Sequence, residues 1–285
     1  MKKYNKVFLL FLLVLFYSFG LAFSGIPEEF KDKINNLKWV AYTPTNFDPN
    51  RNSFPSEESI IADLNVLYKY GFRGIVTYGS DGILAQIPRL AKEAGFEGVI
   101  MGIWDIDERE EIMSAVLARD YVDGYCVGNE GLNFRYDLET LNNSIAEIKE
   151  LTEKPVTTTE HLTDYSNDQV YNLGDWVFPN CHPFLSNVKE PKKAVAWIEK
   201  YFNRLNKHCQ SDRVVIFKEV GFPTQGDHKA SEAKQNEFFK AMEDMNVTFV
   251  YFEAFDQFWK NDTSVEPHWG LFTSKRRPKK FIASQ

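Results

Sequence analysis

Cysteine, positive charge and glycine-rich turns are all scarce in this chain, and each shortage removes a class of protein. The three cysteines, Cys126, Cys181 and Cys209, are odd in number and widely spaced, so no disulfide framework holds the fold; one bridge stays open as a possibility. Cys126 and Cys181 lie in apolar runs and read as small buried hydrophobes. The 33 Lys and Arg against 40 Asp and Glu leave a formal charge of −7. No segment carries the basic stripe that phosphate neutralisation needs, which excludes nucleic acid as a partner. The one basic cluster, Lys275, Arg276, Arg277, Lys279 and Lys280, reads as a solvated terminal face. Where a nucleotide fold would place a glycine-rich loop after its first strand, the chain has Thr43-Pro44-Thr45-Asn46-Phe47. His161, His182, His208, His228 and His268 lack the paired spacing of a metal site, and no serine-centred elbow occurs. No cofactor is expected.

Aromatic side chains, in contrast, are plentiful: 24 Phe, 13 Tyr and 6 Trp. Most belong to a core, but their rings are also the platforms on which sugars stack. The N-terminus has the pattern of a secretory signal. Lys2, Lys3 and Lys6 precede an unbroken apolar run, residues 7–16, and Ala22-Phe23-Ser24 before Gly25 forms a small-residue cleavage site. Cleavage there removes three positive charges, taking −7 to −10. The uncharged stretch 7–24 is about 18 residues, the lower limit for a membrane span, so an uncleaved anchor is the alternative and the only route to a membrane. Either way the rest of the chain faces outward, secreted or attached to the cell envelope. Residues 1–24 are read as signal or anchor and residues 25–285 as one domain.

In that domain apolar, turn-bounded runs alternate with helical patterns. The runs cover residues 39–43, 74–78, 98–104, 124–130, 156–160, 176–182, 214–220 and 248–254, as buried parallel strands should. Helical spacing of apolar residues marks 56–70, 83–94, 108–118, 138–151, 191–205 and 232–245, with 164–172 short. Asp105 with Glu108 resembles a capping box, Ser231 suits an N-cap, and Gly71 and Gly95 suit helix C-termini. Successive strand ends lie about 30 residues apart, one βα unit each. Eight such units predict a single-domain (β/α)8 TIM barrel over an open doubly wound sheet.

Barrel sites form at the C-terminal strand ends. Polar residues gathered there include Tyr42, Tyr78, Trp104, Asn129, Glu130, Glu160, His161, Asn180, His182, Lys218, Glu219, Glu253, Asp256, Trp259 and Lys260. Two stand out. Glu130 closes Cys126-Val127-Gly128-Asn129-Glu130, and Glu219 closes Val214-Val215-Ile216-Phe217-Lys218-Glu219. A carboxylate ending an apolar strand is costly without partners. The two are 89 residues apart, about three βα units, on the fourth and seventh runs across the barrel mouth. Paired carboxyls of this kind suit glycoside hydrolysis, one protonating the leaving oxygen and the other attacking the anomeric carbon.

The order and spacing of several stretches resemble glycoside hydrolase family seventeen, the β-1,3-glucanases and related glucan transglycosylases, within the clan of retaining barrel glycosidases. The stretches are Thr77-Tyr78-Gly79-Ser80-Asp81-Gly82, Gly102-Ile103-Trp104, Val127-Gly128-Asn129-Glu130, Lys218-Glu219-Val220-Gly221-Phe222-Pro223-Thr224, Phe252-Glu253-Ala254-Phe255-Asp256-Gln257 with Trp259-Lys260, and His268-Trp269-Gly270-Leu271-Phe272. The resemblance implies Glu130 as acid/base, Glu219 as nucleophile, Asn129 on the sugar 2-hydroxyl, Glu253 and Lys260 as an orienting pair, and Tyr42 and Tyr78 near the nucleophile and the cleaved sugar. It implies a β-glucan polysaccharide or oligosaccharide as partner. His182 departs from it, standing where many members carry an aromatic; it is expected to hold Glu219 or to touch the sugar. The large subsite loops of the plant enzymes are missing, which favours a short cleft with end-acting or transfer chemistry. Trp104, Phe222, Trp259 and Trp269 are candidate sugar platforms where exposed, and core residues otherwise. Hydrolysis and transglycosylation share every residue up to deglycosylation. A non-catalytic glucan-binding protein would be expected to have lost a carboxylate, and a chitinase-like barrel to carry Asp at the position of Gly128.

Overall fold

The computed structural model of the protein describes residues 26–208 and 213–283. The signal or anchor assigned to residues 1–24 lies outside the described residues, as does Cys209; Cys126 and Cys181 are free and buried. No helix among the described residues is long and apolar enough to cross a membrane.

Seven short parallel strands form one sheet: β1 (Trp39–Ala41), β2 (Gly74–Val76), β3 (Gly98–Ile103), β4 (Gly124–Val127), β5 (Val156–Thr157), β6 (Phe217–Gly221) and β7 (Phe249–Phe252), in the order β5-β4-β3-β2-β1-β7-β6. The sixth predicted run, residues 176–182, closes the ring between β5 and β6. It does so through isolated parallel bridges, His161 with Asn180, Val177 with Val215 and Asn180 with Lys218. Pro179 has no N–H to donate within this run, so the ladder is interrupted, yet its carbonyl still accepts from Lys218 N at 2.9 Å. The result is the expected eight-stranded barrel.

Helices α2 (Glu57–Lys69), α3 (Ile87–Glu93), α4 (Arg109–Leu117), α5 (Leu138–Thr152), α6 (Asp168–Tyr171), α7 (Pro191–His208), α8 (Glu232–Glu243) and α9 (Lys280–Ala283) follow the strands, after a leading helix α1 (Glu28–Asn36). Each outer helix turns an apolar stripe to the barrel. In α5 the stripe is Leu141, Ile145 and Ile148, and Asp137 caps the helix by accepting from Thr140 N at 2.8 Å. Ser231 caps α8 as expected. The cap of α4 is Glu108 itself, because the Asp105 carboxylate is taken by Asp107 N at 3.1 Å. Gly71 and Gly95 take positive φ at the ends of α2 and α3. Helix α1, which the sequence did not announce, packs under the N-terminal strand ends. Its Phe30 meets Trp176 edge-on at 5.2 Å and fills the space a Cβ on Gly124 would need.

The basic C-terminal cluster is solvated only in part: Lys275, Arg277 and Lys280 are exposed, but Arg276 and Lys279 turn inward. Arg276, at φ +61, donates to the wholly buried Asp63 at 2.6 Å, and Lys279 is 3 % exposed and pairs with Asp256 at 2.7 Å. These two pairs tie the last segment to the top of the barrel.

Candidate active site

Two breaks in regular backbone aim the carboxylates. Strand β4 ends at Val127, and Gly128 (φ +74) turns the chain where a Cβ would lie 2.3 Å from the Tyr136 hydroxyl. This is a local reason for glycine at that position. Asn129 follows, then Glu130 at φ +50, its N–H held by Thr159 O at 2.9 Å. In β6 the register shifts between Phe217 and Val220: two steps on β7 oppose three on β6. This bulge carries Lys218 and Glu219, with Glu219 at φ +58. The peptide Phe252–Glu253 at the end of β7 is cis.

The carboxylates meet across the mouth. Ligand atoms of Glu130, His182 and Glu219 all lie within 4.8 Å of one another. His182 Nε2 is 2.8 Å from Glu219 Oε2, and Lys218 Nζ is 3.4 Å from Glu219 Oε1. Burial by itself would raise the Glu219 carboxyl, but the Lys218 charge, the His182 hydrogen bond and Lys260 outweigh it and bring it down to about 2. These cations therefore favour the ionised form of Glu219. Burial pulls the His182 imidazole down, while Glu219 pulls it up further, so the net direction is upward. Among the described residues this trio is the one grouping of histidine, cysteine and carboxylate groups close enough to share a metal ion. Glu219 already has His182 and Lys218 as partners.

Glu130 is better exposed. His161 Nδ1 stands 2.9 Å from Glu130 Oε1, yet that oxygen accepts no hydrogen bond. Asn129 Oδ1 accepts from Lys218 Nζ at 2.6 Å, and Arg135 donates to the Asn129 carbonyl at 2.6 Å and to the Trp104 carbonyl at 2.9 Å. The Arg135 guanidinium also lies 4.6 Å over the Trp104 ring.

The cleft around these groups has a volume of about 960 Å³. Tyr42, Tyr78, Trp104, Asn129, Glu130, His182, Glu219, Trp259 and Lys260 all line it. The Tyr42 hydroxyl faces away, donating to Asp63 at 2.9 Å, so only its ring serves the cleft. The buried Tyr78 hydroxyl faces Glu219; burial and the Glu219 charge hold its pKa far above the ordinary phenol value. Trp104 is 45 % exposed, with Arg135 over its ring. Trp259 is half-buried, fixed by its Nε1–H to Gln257 Oε1 at 2.9 Å. Glu253, gathered above with the strand-end residues, does not line the cleft. It is 0 % exposed, and Lys260 Nζ donates to both its oxygens, at 2.9 and 2.8 Å. Burial, opposed by Lys260, leaves its carboxyl raised to about 7. Phe222 and Trp269 are not platforms: both are 0 % exposed and pack with Phe184.

Sequence reasoning gave no role to Lys218, Arg135, Glu111 or Glu266. Glu111 reaches up from α4 to accept the N–H groups of Ser80, Trp104 and Asp105, holding the ends of β2 and β3 together. Glu266 lines the cleft, its carboxyl raised by burial against the pull of Lys260. Lys218 stood among the strand-end residues without a role, and no local pattern marked the backbone groups that Glu111 and Arg135 hold.

Known proteins resemble this arrangement. The chain is 23% identical over 263 residues to a probable family 17 glucosidase of Saccharomyces cerevisiae, covering 84% of this chain and 66% of that protein. It is 26% identical over 267 residues to a glucan 1,3-beta-glucosidase of the same yeast, covering 79% and 85%. Among solved structures, an endo-laminarinase from Formosa Hel1_33_131 superposes with a TM-score of 0.74 at 17% identity, over 89% of this chain and 88% of that one, which establishes a shared fold. Residues 40–270 match the BtgE/BtgC glycoside hydrolase domain, and with the barrel and the facing carboxylates in place, the chain belongs to that family.

Proposed function

We propose that the protein is a retaining glycosidase acting on β-1,3-glucan, with Glu130 as acid/base and Glu219 as nucleophile. The observation that carries this reading is the approach of the two carboxylates, whose nearest oxygens lie within 4.8 Å. Retaining enzymes hold their carboxyl groups about 5–5.5 Å apart, whereas inverting ones leave about 6.5–9.5 Å for a water. Glu219, ionised and held by Lys218 and His182, attacks the anomeric carbon. Glu130 gives its proton to the leaving oxygen, and the C–O bond breaks as the glycosyl–Glu219 ester forms. Glu130, now ionised, then takes a proton from the incoming hydroxyl as that oxygen displaces Glu219. Asn129, fixed by its carbonyl oxygen, offers its N–H to the sugar 2-hydroxyl.

The incoming hydroxyl can belong to water or to another sugar. Transfer is the second reading, supported by aromatic side chains on separate parts of the rim: Phe47 and Trp259, Trp104, and Trp197 with Tyr201. Rings away from the cleaved sugar favour binding of an acceptor chain. The relatives' names favour β-1,3-glucan as substrate, and the signal-like N-terminus supports action outside the cytoplasm. The presence of both carboxylates counts against a purely binding role.

Product analysis with short β-1,3-gluco-oligosaccharides tests the proposal. Shorter products that keep the β-anomer at first release are expected from hydrolysis, and products longer than the substrate from transfer. An initial α-anomer would overturn the retaining mechanism; tight binding without turnover would return the weight to a binding protein.

A further inference from the structure

Lys218 is the least expected group in the site. It is 1 % exposed, and it follows an apolar run in which strict alternation would send it to the face opposite Glu219. The bulge in β6 removes that alternation. Lys218 Nζ consequently reaches Asn129 Oδ1 at 2.6 Å while standing 3.4 Å from Glu219 Oε1, with the Tyr78 ring 4.5 Å away. One ammonium thus joins the residue next to the acid/base with the nucleophile. Its backbone is fixed as well, its N–H on Pro179 O at 2.9 Å and its carbonyl accepting from Cys181 N at 3.0 Å.

We infer that Lys218 is a positioning residue with two separable tasks: its charge keeps Glu219 ionised, and its N–H donor fixes the Asn129 amide so that only the Nδ2 donor faces the sugar. An amide can present either of its ends to a ligand. Here Asn129 Oδ1 is occupied by Lys218 and, more loosely, by Asn180 Nδ2 at 3.5 Å, whose own Oδ1 is held by Thr159 Oγ1 at 3.0 Å. The cleaved sugar is therefore met by a donor at its 2-position and must bring an acceptor there, a free hydroxyl. The inference rests on the assignment of Glu130 and Glu219 above.

Three variants separate the tasks. Lys218→Gln retains an N–H donor but loses the charge, Lys218→Met loses both, and Lys218→Arg retains both. The substrates are an aryl β-laminaribioside and its analogue lacking the 2-hydroxyl on the sugar bound beside Glu219. In Lys218→Gln the acid limb of kcat/KM should move up by about one pH unit or more, since the neighbouring cation no longer favours the ionised carboxyl. Its discrimination against the 2-deoxy substrate should match the wild type within about threefold. In Lys218→Met the limb should move and discrimination should fall about tenfold or more, to the level of Asn129→Ala. Lys218→Arg should restore part of both. If Lys218→Met does not fold, the limb in Lys218→Gln and the recovery in Lys218→Arg still decide the charge task, and Lys218→Leu, which also lacks the donor, decides the other: its discrimination should fall to the level of Asn129→Ala. An unmoved acid limb in Lys218→Gln, or wild-type discrimination in Lys218→Met, would overturn the inference. Activity retained in Glu219→Ala would instead overturn the assignment on which it rests.

Discussion

Replacing Arg276 by Met tests whether the C-terminal segment is locked to the barrel by charge. Asp63 is 0 % exposed, and its carboxylate accepts from Tyr42 Oη, Thr45 N, Thr45 Oγ1 and Arg276 Nε. Burial pushes the carboxyl up, and the Thr45 N–H and Arg276 only partly hold it down. Without the guanidinium the charge stays buried and loses its cation. Such losses cost about 3–5 kcal/mol. The Arg276 side chain is 28 % exposed, so solvent already screens part of the pair and the lower end, about 3 kcal/mol, is expected. For a domain of this size that lowers Tm by about 6–12 °C. The deficit should depend on pH. A carboxyl whose folded pKa is raised weighs against folding above its unfolded pKa, and the cost fades as protonation sets in, so Tm of variant and wild type should converge from pH 7 towards pH 4. Thermal melts followed by circular dichroism at both values measure this. Asp63→Asn added to Arg276→Met should cost less than the two single losses combined. A Tm change under about 2 °C, or an equal deficit at both pH values, would refute the reasoning.

Other expectations concern the chemistry. His182→Phe keeps an aromatic ring against Phe252 and Trp269 but removes the hydrogen bond to Glu219; kcat/KM should drop about tenfold or more and its acid limb should rise, read from a pH–rate profile. Because His182 Nδ1 is buried without a partner, the neutral ring carries its proton on Nε2, and the wild-type bond to Glu219 should survive titration of the imidazole, leaving no histidine step near neutral pH. Glu130→Ala should retain activity on a substrate with a good leaving group and recover with azide to give a β-glycosyl azide, identified by NMR, while Glu219→Ala should stay inactive. Trp104→Ala should lower the ratio of transfer to hydrolysis by about threefold or more with little effect on release of an aryl leaving group.

The barrel was legible because every strand is an apolar run with a turn at its end and the runs recur at one interval. The sixth run was legible by composition even though Pro179 breaks its ladder. Helix α1 was missed because it is nine residues long and contributes only Phe30 and Ile34 to the core. Glu130 and Glu219 could be found because a charge at the tip of an apolar strand conflicts with its surroundings. Lys218 could not be assigned, since its direction depends on a bulge that no local pattern announces. The roles of Arg276 and Lys279 were misjudged for a related reason: Asp63 lies 213 positions from Arg276, and charge clustering alone says nothing of a distant partner. Whether Glu253, Phe222 and Trp269 reach the cleft could not be read from their place near strand ends, which fixes height along the barrel but not which way a side chain turns.

The backbone at the two carboxylates has a consequence for descent. Both residues sit in the left-handed region, which costs a non-glycine residue about 1–2 kcal/mol. Glu219 is compensated by the cations around it, and its removal would strand Lys218 and His182. Glu130 has only the exposed His161 beside it, 2.9 Å from Oε1. Selection for turnover is then the main force retaining glutamate at position 130, while the neighbours also retain it at 219. A lineage that kept the barrel but abandoned catalysis should drift first at 130, towards Asn or Gly, which accept that backbone, and long afterwards still carry Lys-Glu in the bulge. A surviving Lys-Glu pair is thus a record of ancestry, and the residue at 130 is the better sign of whether a descendant still cuts or joins sugar chains.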